Sequence, residues 1–260
     1  ERIMSTKPAV RPRVSLIIPV YNETVRLVSG LSEVLSYLAK QRYRWELIIV
    51  DDGSRKPVTS VLADASKKKT FSRAFSKLPL RIVRSEQNMG KGAAVGIGVN
   101  KAKGDMIVFS DVDLSVPIDE LGVLLDELTR HQVVVASRRI PASRIVVHQS
   151  FTRESAGRIF TGLSNIICGT GVSDITCGFK GFTRPAAQAL FGLRRINRWA
   201  FDSEIAFLAK KYGVSIKEIP VAWINKSGSK VRPMDGLQSF IDLLRIRWYD
   251  MRGLYEVRPL

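Results

Sequence analysis

Val14-Ser-Leu-Ile-Ile-Pro-Val20 and Trp45-Glu-Leu-Ile-Ile-Val50 decide the fold. Each is a short, almost uninterrupted apolar run rich in β-branched residues, the pattern of a strand buried on both faces. Between them Leu27, Leu31, Val34, Leu35 and Leu38 recur on one face of a helix. Strand, amphipathic helix and strand make a βαβ unit, so the two strands are expected to be parallel. Both end abruptly in polar residues, the first in Tyr21-Asn22-Glu23 and the second in Asp51-Asp52-Gly53-Ser54.

The same alternation continues outward. Leu80 to Arg84 reads as a third strand, and Met89-Gly-Lys-Gly92 opens a small-residue helix that runs to about Lys101. Met106 to Ser110 is a fourth strand ending in Asp111-Val112-Asp113. Pro117 suits the first turn of a further helix, and Val133 to Ser137 reads as a fifth strand. Open α/β sheets bind ligands beyond the carboxyl ends of their strands, so these polar strand ends are expected to converge on one crevice. Leu62 to Lys77 is basic and weakly periodic. Arg138 to Arg158 is markedly basic, with Arg138, Arg139, Arg144, Arg153 and Arg158, and reads as a ligand-facing loop and helix start. A Gly169/Gly171 link, the run Asp174 to Lys180, a helix near Asp202 to Lys211 and a strand at Ser215 to Trp223 follow. From Leu237 the tail carries Ile241, Leu244, Trp248 and Met251 at helical spacing, with Arg245, Arg247 and Arg252 interspersed. Such a helix either lies on a bilayer surface or packs on the core.

The 260 residues are ample for one large domain, and 45% hydrophobic with 25% charged residues is a globular composition. A net charge of +17 attracts polyanions, which leaves nucleic acid, anionic membrane and phosphorylated ligands as partner classes. Nucleic-acid binding sits poorly with acidic strand ends, which repel a phosphate backbone, so no nucleic-acid partner is expected. Cys168 and Cys177 lack a C-x-x-C spacing and read as reduced thiols in a reducing compartment. No stretch approaches the roughly 20 apolar residues that span a bilayer. Glu1 to Arg13 is polar and basic, with no apolar signal-peptide core.

Asp111 and Asp113, two apart at a strand end, point the same way and can share one hard cation, Mg2+ or Mn2+. Alone, the triplet fits a solvated loop as well as a metal site. Asp51 and Asp52 end a neighbouring strand, where a carboxylate accepts from a ribose hydroxyl or a base N–H; the string is equally good turn chemistry. Gly90-Lys91-Gly92 lets the backbone approach a phosphate at a helix N-terminus. It is neither a dinucleotide fingerprint nor a Walker A loop. Asp202 and Glu204 fit a base or a sugar-hydroxyl ligand, or a helix cap and first-turn acids. His131 and His148 have no triad partners at recognisable spacing.

Taken together, Ile18-Pro-Val-Tyr-Asn-Glu23, Val50-Asp-Asp-Gly-Ser54, Asn88-Met-Gly-Lys-Gly92, Asp111-Val-Asp113, Ala136-Ser-Arg138, Thr176-Cys-Gly-Phe-Lys180, Arg198-Trp-Ala-Phe-Asp202 and Gly228-Ser-Lys230 resemble the inverting family 2 glycosyltransferases of the GT-A fold. The resemblance is strongest to the polyprenyl-phosphate, or dolichyl-phosphate, group. It implies a Rossmann-like, mostly parallel sheet flanked by helices, in a catalytic domain over 14–235 between a basic segment, 1–13, and a C-terminal amphipathic helix, 236–260. It implies that Pro19, Tyr21, Glu23, Asp51 and Asp52 line the nucleotide pocket with Lys91 nearby. Asp111 and Asp113 would hold the metal, and Ser229 with Lys230 would close over the diphosphate. Arg138 and Arg153, with Arg139 and Arg158 as neighbours, would bind the acceptor phosphate, and Asp202 would lie near the reacting centre. The activity implied is transfer of a hexose from a UDP- or GDP-sugar to a polyprenyl phosphate, peripherally on the cytoplasmic face of an anionic membrane. The Arg198 to Asp202 run is closer to the glucosyl than to the mannosyl branch, which leans the donor towards UDP-glucose.

Overall fold

The structure is a computed structural model that describes residues 13–66, 78–226 and 233–256. Its strands are β1 (Val14–Val20), β2 (Trp45–Asp51), β3 (Leu80–Arg84), β4 (Met106–Ser110), β5 (Val133–Ser137), β6 (Arg144–Val147), β7 (Phe179–Thr183), β8 (Ile216–Pro220) and β9 (Ala222–Ile224). Its helices are α1 (Thr24–Leu38), α2 (Val58–Ser66), α3 (Lys91–Lys101), α4 (Leu121–Glu127), α5 (Phe151–Cys168), α6 (Arg184–Leu193), α7 (Phe201–Lys211) and α8 (Pro233–Met251).

Among the described residues seven strands form one sheet in the order β3-β2-β1-β4-β7-β5-β8, and β6 and β9 form a small parallel pair. All neighbours in the main sheet are parallel except β7, which runs antiparallel between β4 and β5. The chain starts at β1, steps out to β2 and β3, and returns to β4 on the other side of β1. The strand order therefore reverses between β1 and β4, where α/β sheets open a ligand crevice.

Each of the central strands is apolar on both faces because both faces are covered. Leu16, Ile18, Leu47 and Ile49 face a core shared with α1, α2 and α4. Ile17, Ile48 and Val50 face the other core, shared with α3, α6, α7 and α8. Burying each such side chain contributes about 1.5–3 kcal/mol relative to exposure. The small-residue composition of α3 follows from its place on β1. A Cβ on Gly98 would stand 2.4 Å from Ile17 Cγ2, so this helix reaches the strand only with glycine there.

The structure departs from the sequence reading in three segments, the first being Arg144–Val147, read as part of a loop and found as the strand β6. The apolar stretch 215–223 divides: β8 joins the main sheet, whereas β9 turns away to pair with β6. The third is β7, a buried strand whose Lys180 and Gly181 dilute the apolar pattern that marks the other strands. The C-terminal helix packs its Leu243 and Ile246 fully into the core while Ile241, Leu244, Trp248 and Met251 face outward.

Candidate functional site

Asp111 and Asp113 follow β4 at the reversal point, in a turn where the Leu114 N–H donates to Asp111 O at 3.1 Å and the Ser115 N–H to Asp113 Oδ1 at 3.0 Å. Their carboxylates are partly exposed. Lys91, at the start of α3, reaches Asp111 Oδ1 at 2.6 Å. Arg26 of α1 pairs with Glu23 and stands 3.5 Å from Asp113 Oδ2, so the end of β1 is tied to the end of β4. Burial opposes the charge on Lys91, but Asp111, Asp202 and Asp113 outweigh it and raise its pKa.

Among the described residues no group of three or more His, Cys, Asp or Glu side chains is arranged around one point. Two strand-end carboxylates fit Mg2+ or Mn2+, hard ions that keep open positions for phosphate oxygens and water, better than they fit an ion that requires an all-protein cage. Asp111 also depends on a residue that the sequence reading left without a role. The backbone of Gly178, just before β7, lies so close that a Cβ there would stand 1.9 Å from Asp111 Oδ2.

Asp51 and Asp52 are both buried, and both accept from the chain itself. The Ser54 and Val58 N–H groups donate to Asp51 at 2.9 and 3.1 Å, and Arg84 Nη1 lies 2.5 Å away. Burial raises the Asp51 carboxyl, yet these donors together bring it below its ordinary value. Asp52 accepts from the Met89 and Gly90 N–H groups at 2.9 and 2.8 Å and from Asn88 Nδ2 at 2.9 Å. Burial outweighs these bonds and raises its pKa. Asp52 thus fixes the loop that carries Lys91 to the crevice, whereas Asp51 ties the start of α2 to Arg84. Tyr21 stands half-exposed just beyond Pro19 at the end of β1.

Asp202 opens α7 on the same side. Its carboxylate pairs with Lys180 Nζ at 2.5 Å, and Lys180, buried within β7, also donates to Ile175 O at 2.9 Å. Burial raises the Asp202 carboxyl, and the charges of Lys180 and Lys91 offset only part of that. Asp202, Lys91, Asp111 and Asp113 therefore share one electrostatic neighbourhood. Glu204 lies elsewhere: it accepts from the Arg195 and Ile196 N–H groups at 2.8 Å and from the Tyr255 hydroxyl at 2.6 Å, tying down the chain beyond α8.

The arginines line an adjacent cleft of about 410 Å³ that Arg138, Arg139, Arg158, Ile145 and Trp223 help to wall. Arg138 leaves β5 and forks onto the buried Asp174, Nε to Oδ2 at 2.6 Å and Nη2 to Oδ1 at 2.8 Å, with its guanidinium 5.2 Å above the Trp223 ring. Burial opposes its charge, but Asp174 raises its pKa; Asp174 is in turn lowered, Arg138 outweighing burial. Arg139 Nη1 donates to Thr161 Oγ1 at 2.8 Å and interacts with the Arg158 charge. Arg153, in the first turn of α5, interacts with both Asp113 and Arg138, and burial lowers its pKa. Arg153 therefore shares an electrostatic neighbourhood with both Asp113 and Arg138. Ser229 and Lys230 lie outside the described residues.

A crevice at the reversal point of a mostly parallel α/β sheet, with carboxylates after β4, is the arrangement expected of a GT-A glycosyltransferase. The same fold occurs in glucosyl-3-phosphoglycerate synthase from Mycobacterium tuberculosis, solved with Mn2+, UDP-glucose and glycerol 3-phosphate (TM-score 0.62, 19% identity, 93% of this chain and 80% of that one). A Pyrobaculum calidifontis mannosyltransferase solved with GDP-mannose and Mn2+ matches with a TM-score of 0.55 at 16% identity, over 98% and 67% of the two chains. The model of the glycosyl transferase family 2 matches residues 15–191. Dolichyl-phosphate beta-glucosyltransferases of Trichomonas vaginalis and Homo sapiens are each 32% identical to the chain, over 94% of it and 76% and 78% of their own lengths. The chain belongs to glycosyl transferase family 2, among the dolichyl-phosphate beta-glucosyltransferases.

Proposed function

We propose that this enzyme moves glucose from UDP-glucose onto the phosphate of a polyprenyl or dolichyl lipid with inversion at the anomeric carbon. The observation that carries the reading is the pairing of Asp111 and Asp113 at the strand-order reversal with a cleft walled by Arg138, Arg139 and Arg158. A donor diphosphate at the carboxylates and an acceptor phosphate at the arginines would then both feel the charge of Arg153, which interacts with Asp113 and Arg138.

Pro19, Tyr21, Glu23, Asp51, Asp52 and Lys91 form the donor pocket in this reading, the two buried carboxylates by shaping its loops. Asp111 and Asp113 would hold Mg2+ or Mn2+, which when bound would supply positive charge against the departing diphosphate. Lys91 adds a second cation near the leaving group. Arg138 has committed Nε and Nη2 to Asp174, so it offers Nη1 to the acceptor, and Arg153, Arg139 and Arg158 add further positive charge. The acceptor oxygen attacks the anomeric carbon as the bond from that carbon to the donor phosphate breaks on the opposite face. A phosphate monoester is already mostly dianionic near neutral pH, its second pKa being about 6, so no strong base is needed. Asp202, held by Lys180, is then suited to accept from a sugar hydroxyl. Positioning and charge supply most of the acceleration.

No described helix is long and apolar enough to cross a membrane. Cys168 and Cys177 are free and buried, their thiols pushed up to about 12 by burial. Reduced, buried thiols suit a reducing compartment, which supports action on the cytoplasmic face of a membrane. The test is incubation with Mg2+ or Mn2+, a short polyprenyl phosphate and a panel of UDP- and GDP-hexoses, with products weighed by mass spectrometry. UDP-glucose is expected to give the fastest transfer; faster use of GDP-mannose would move the enzyme to the mannosyl branch, and no product with any donor would remove the reading.

A further inference from the structure

The outer face of α8 carries Met234, Leu237, Ile241, Leu244, Trp248 and Met251 at steps of three, four, three, four and three. All six are between 38% and 75% exposed, while Leu243 and Ile246 on the opposite face are fully buried. The helix therefore has two apolar faces, and the fold uses only one. A continuous exposed stripe of this kind marks a surface that something covers. Its spacing would suit a second helix as well as a bilayer, and the flanking charges decide between them. Arg245 and Arg252 lie along one side of the stripe and Arg247 along the other. The acids of the helix lie away from the seam. Asp242 is buried beneath Arg245, and Asp250 is partly buried where it meets Lys211 and Arg247. A second copy of α8 would set arginine against arginine in either orientation, whereas anionic headgroups would meet cations on both sides. The aromatic ring in the stripe, Trp248, carries the Arg252 guanidinium 5.2 Å above it, an amphipathic pair suited to the headgroup level.

We propose that α8 seats on an anionic lipid surface, its apolar stripe at the acyl boundary and Arg245, Arg247 and the adjoining Arg252 among the headgroups. The inference rests on the lipid-acceptor reading of the site and says which face of the enzyme meets the bilayer. α5 runs from the inner side of α8 to the acceptor cleft. Its last residue contacts α8 through Cys168 Sγ and Leu243 O at 3.7 Å, and its first turn carries Arg153 beside the highly exposed Phe151. Ile159 and Ile166 on α5 are exposed as well. A lipid phosphate at the arginines would thus have its hydrocarbon end next to apolar surface and not in water.

The test is cosedimentation of the whole chain with vesicles of phosphatidylcholine alone and of phosphatidylcholine containing phosphatidylserine, with sedimentation velocity in the absence of lipid. Wild-type protein is expected to bind the anionic vesicles, less so as salt rises, and to be monomeric without them. Reversing Arg245 and Arg252 to Glu is expected to lower binding roughly tenfold or more, since each cation near an anionic surface is worth about 1 kcal/mol. Leu244→Asp with Trp248→Ala is expected to abolish it. Both variants should keep their circular dichroism and their rate with a short, water-dispersed prenyl phosphate. Undiminished vesicle binding by either variant overturns the proposal, as does a lipid-free dimer that Leu244→Asp dissolves, which would assign the stripe to a second copy. Loss of transfer by wild type in every arm, with vesicle binding intact, would instead remove the proposed function.

Discussion

Replacing Gly178 with alanine is expected to damage catalysis without touching any group that meets substrate. The backbone of Gly178 has an ordinary φ, so the change adds no backbone strain. The whole effect is steric: the new methyl would lie 1.9 Å from Asp111 Oδ2 and 2.4 Å from its Cγ, where real Cβ atoms essentially never come within 3.0 Å. The carboxylate must therefore retreat by about 1 Å, and it has room to do so because its side chain is 39% exposed. Outward rotation spares the fold but takes an oxygen away from the position that a bound metal requires. A 1 Å displacement of a positioned group costs on the order of 100-fold, or about 2.7 kcal/mol of transition-state stabilisation. The assay is steady-state transfer from UDP-glucose to a short prenyl phosphate at several metal concentrations, with thermal unfolding alongside. The expected result is a kcat/KM about 100-fold lower, an increased metal requirement and little change in Tm. A kcat/KM within twofold of wild type, at unchanged metal demand, would refute the role given to Asp111.

Arg153→Ala is expected to raise KM for the lipid phosphate by about 10- to 100-fold, the value of one charged hydrogen bond, with the donor KM nearly unchanged; a loss confined to donor binding would contradict the acceptor assignment. Lys180→Met should destabilise by about 3–5 kcal/mol by leaving Asp202 buried and unpaired, and adding Asp202→Asn should recover much of the loss in denaturant titrations. Asp174→Asn should cost a similar amount near neutral pH. The sign follows from the lowered pKa of Asp174: its contribution is present above the ordinary carboxylate range and disappears as pH falls through the folded value. The stability gap between wild type and variant, followed by urea unfolding from neutral pH downward, should therefore close in acid; a constant gap would show that the variant acts otherwise.

Much of this was legible in the sequence because β1, β2, β4 and β5 are buried on both faces. Their apolar runs are almost unbroken, and the polar residues that follow them are forced to one edge. Lys91 and the carboxylates at 51, 52, 111 and 113 could be gathered on that ground alone. β7 was not legible, because its two middle residues are a lysine and a glycine. Lys180 is buried only because Asp202 arrives from 22 residues away. Arg138 could be read as an available cation, but not that Asp174, 36 residues on, engages two of its nitrogens. Gly178 gave no signal of its own, since the need for glycine lies in the approach of Asp111. Helical spacing found the outward stripe of α8, whereas only packing showed a second, inward face.

The measurement that bears most directly on the central claim is the initial rate of glucosyl transfer from UDP-glucose to a short prenyl phosphate, first in chelator and then as Mg2+ or Mn2+ is titrated back, for wild type and Asp113→Ala. Wild type should be silent in chelator and regain its rate with metal, whereas Asp113→Ala should stay silent throughout at a nearly unchanged Tm. Transfer that ignores the chelator, or a variant that turns over like wild type, would contradict the account.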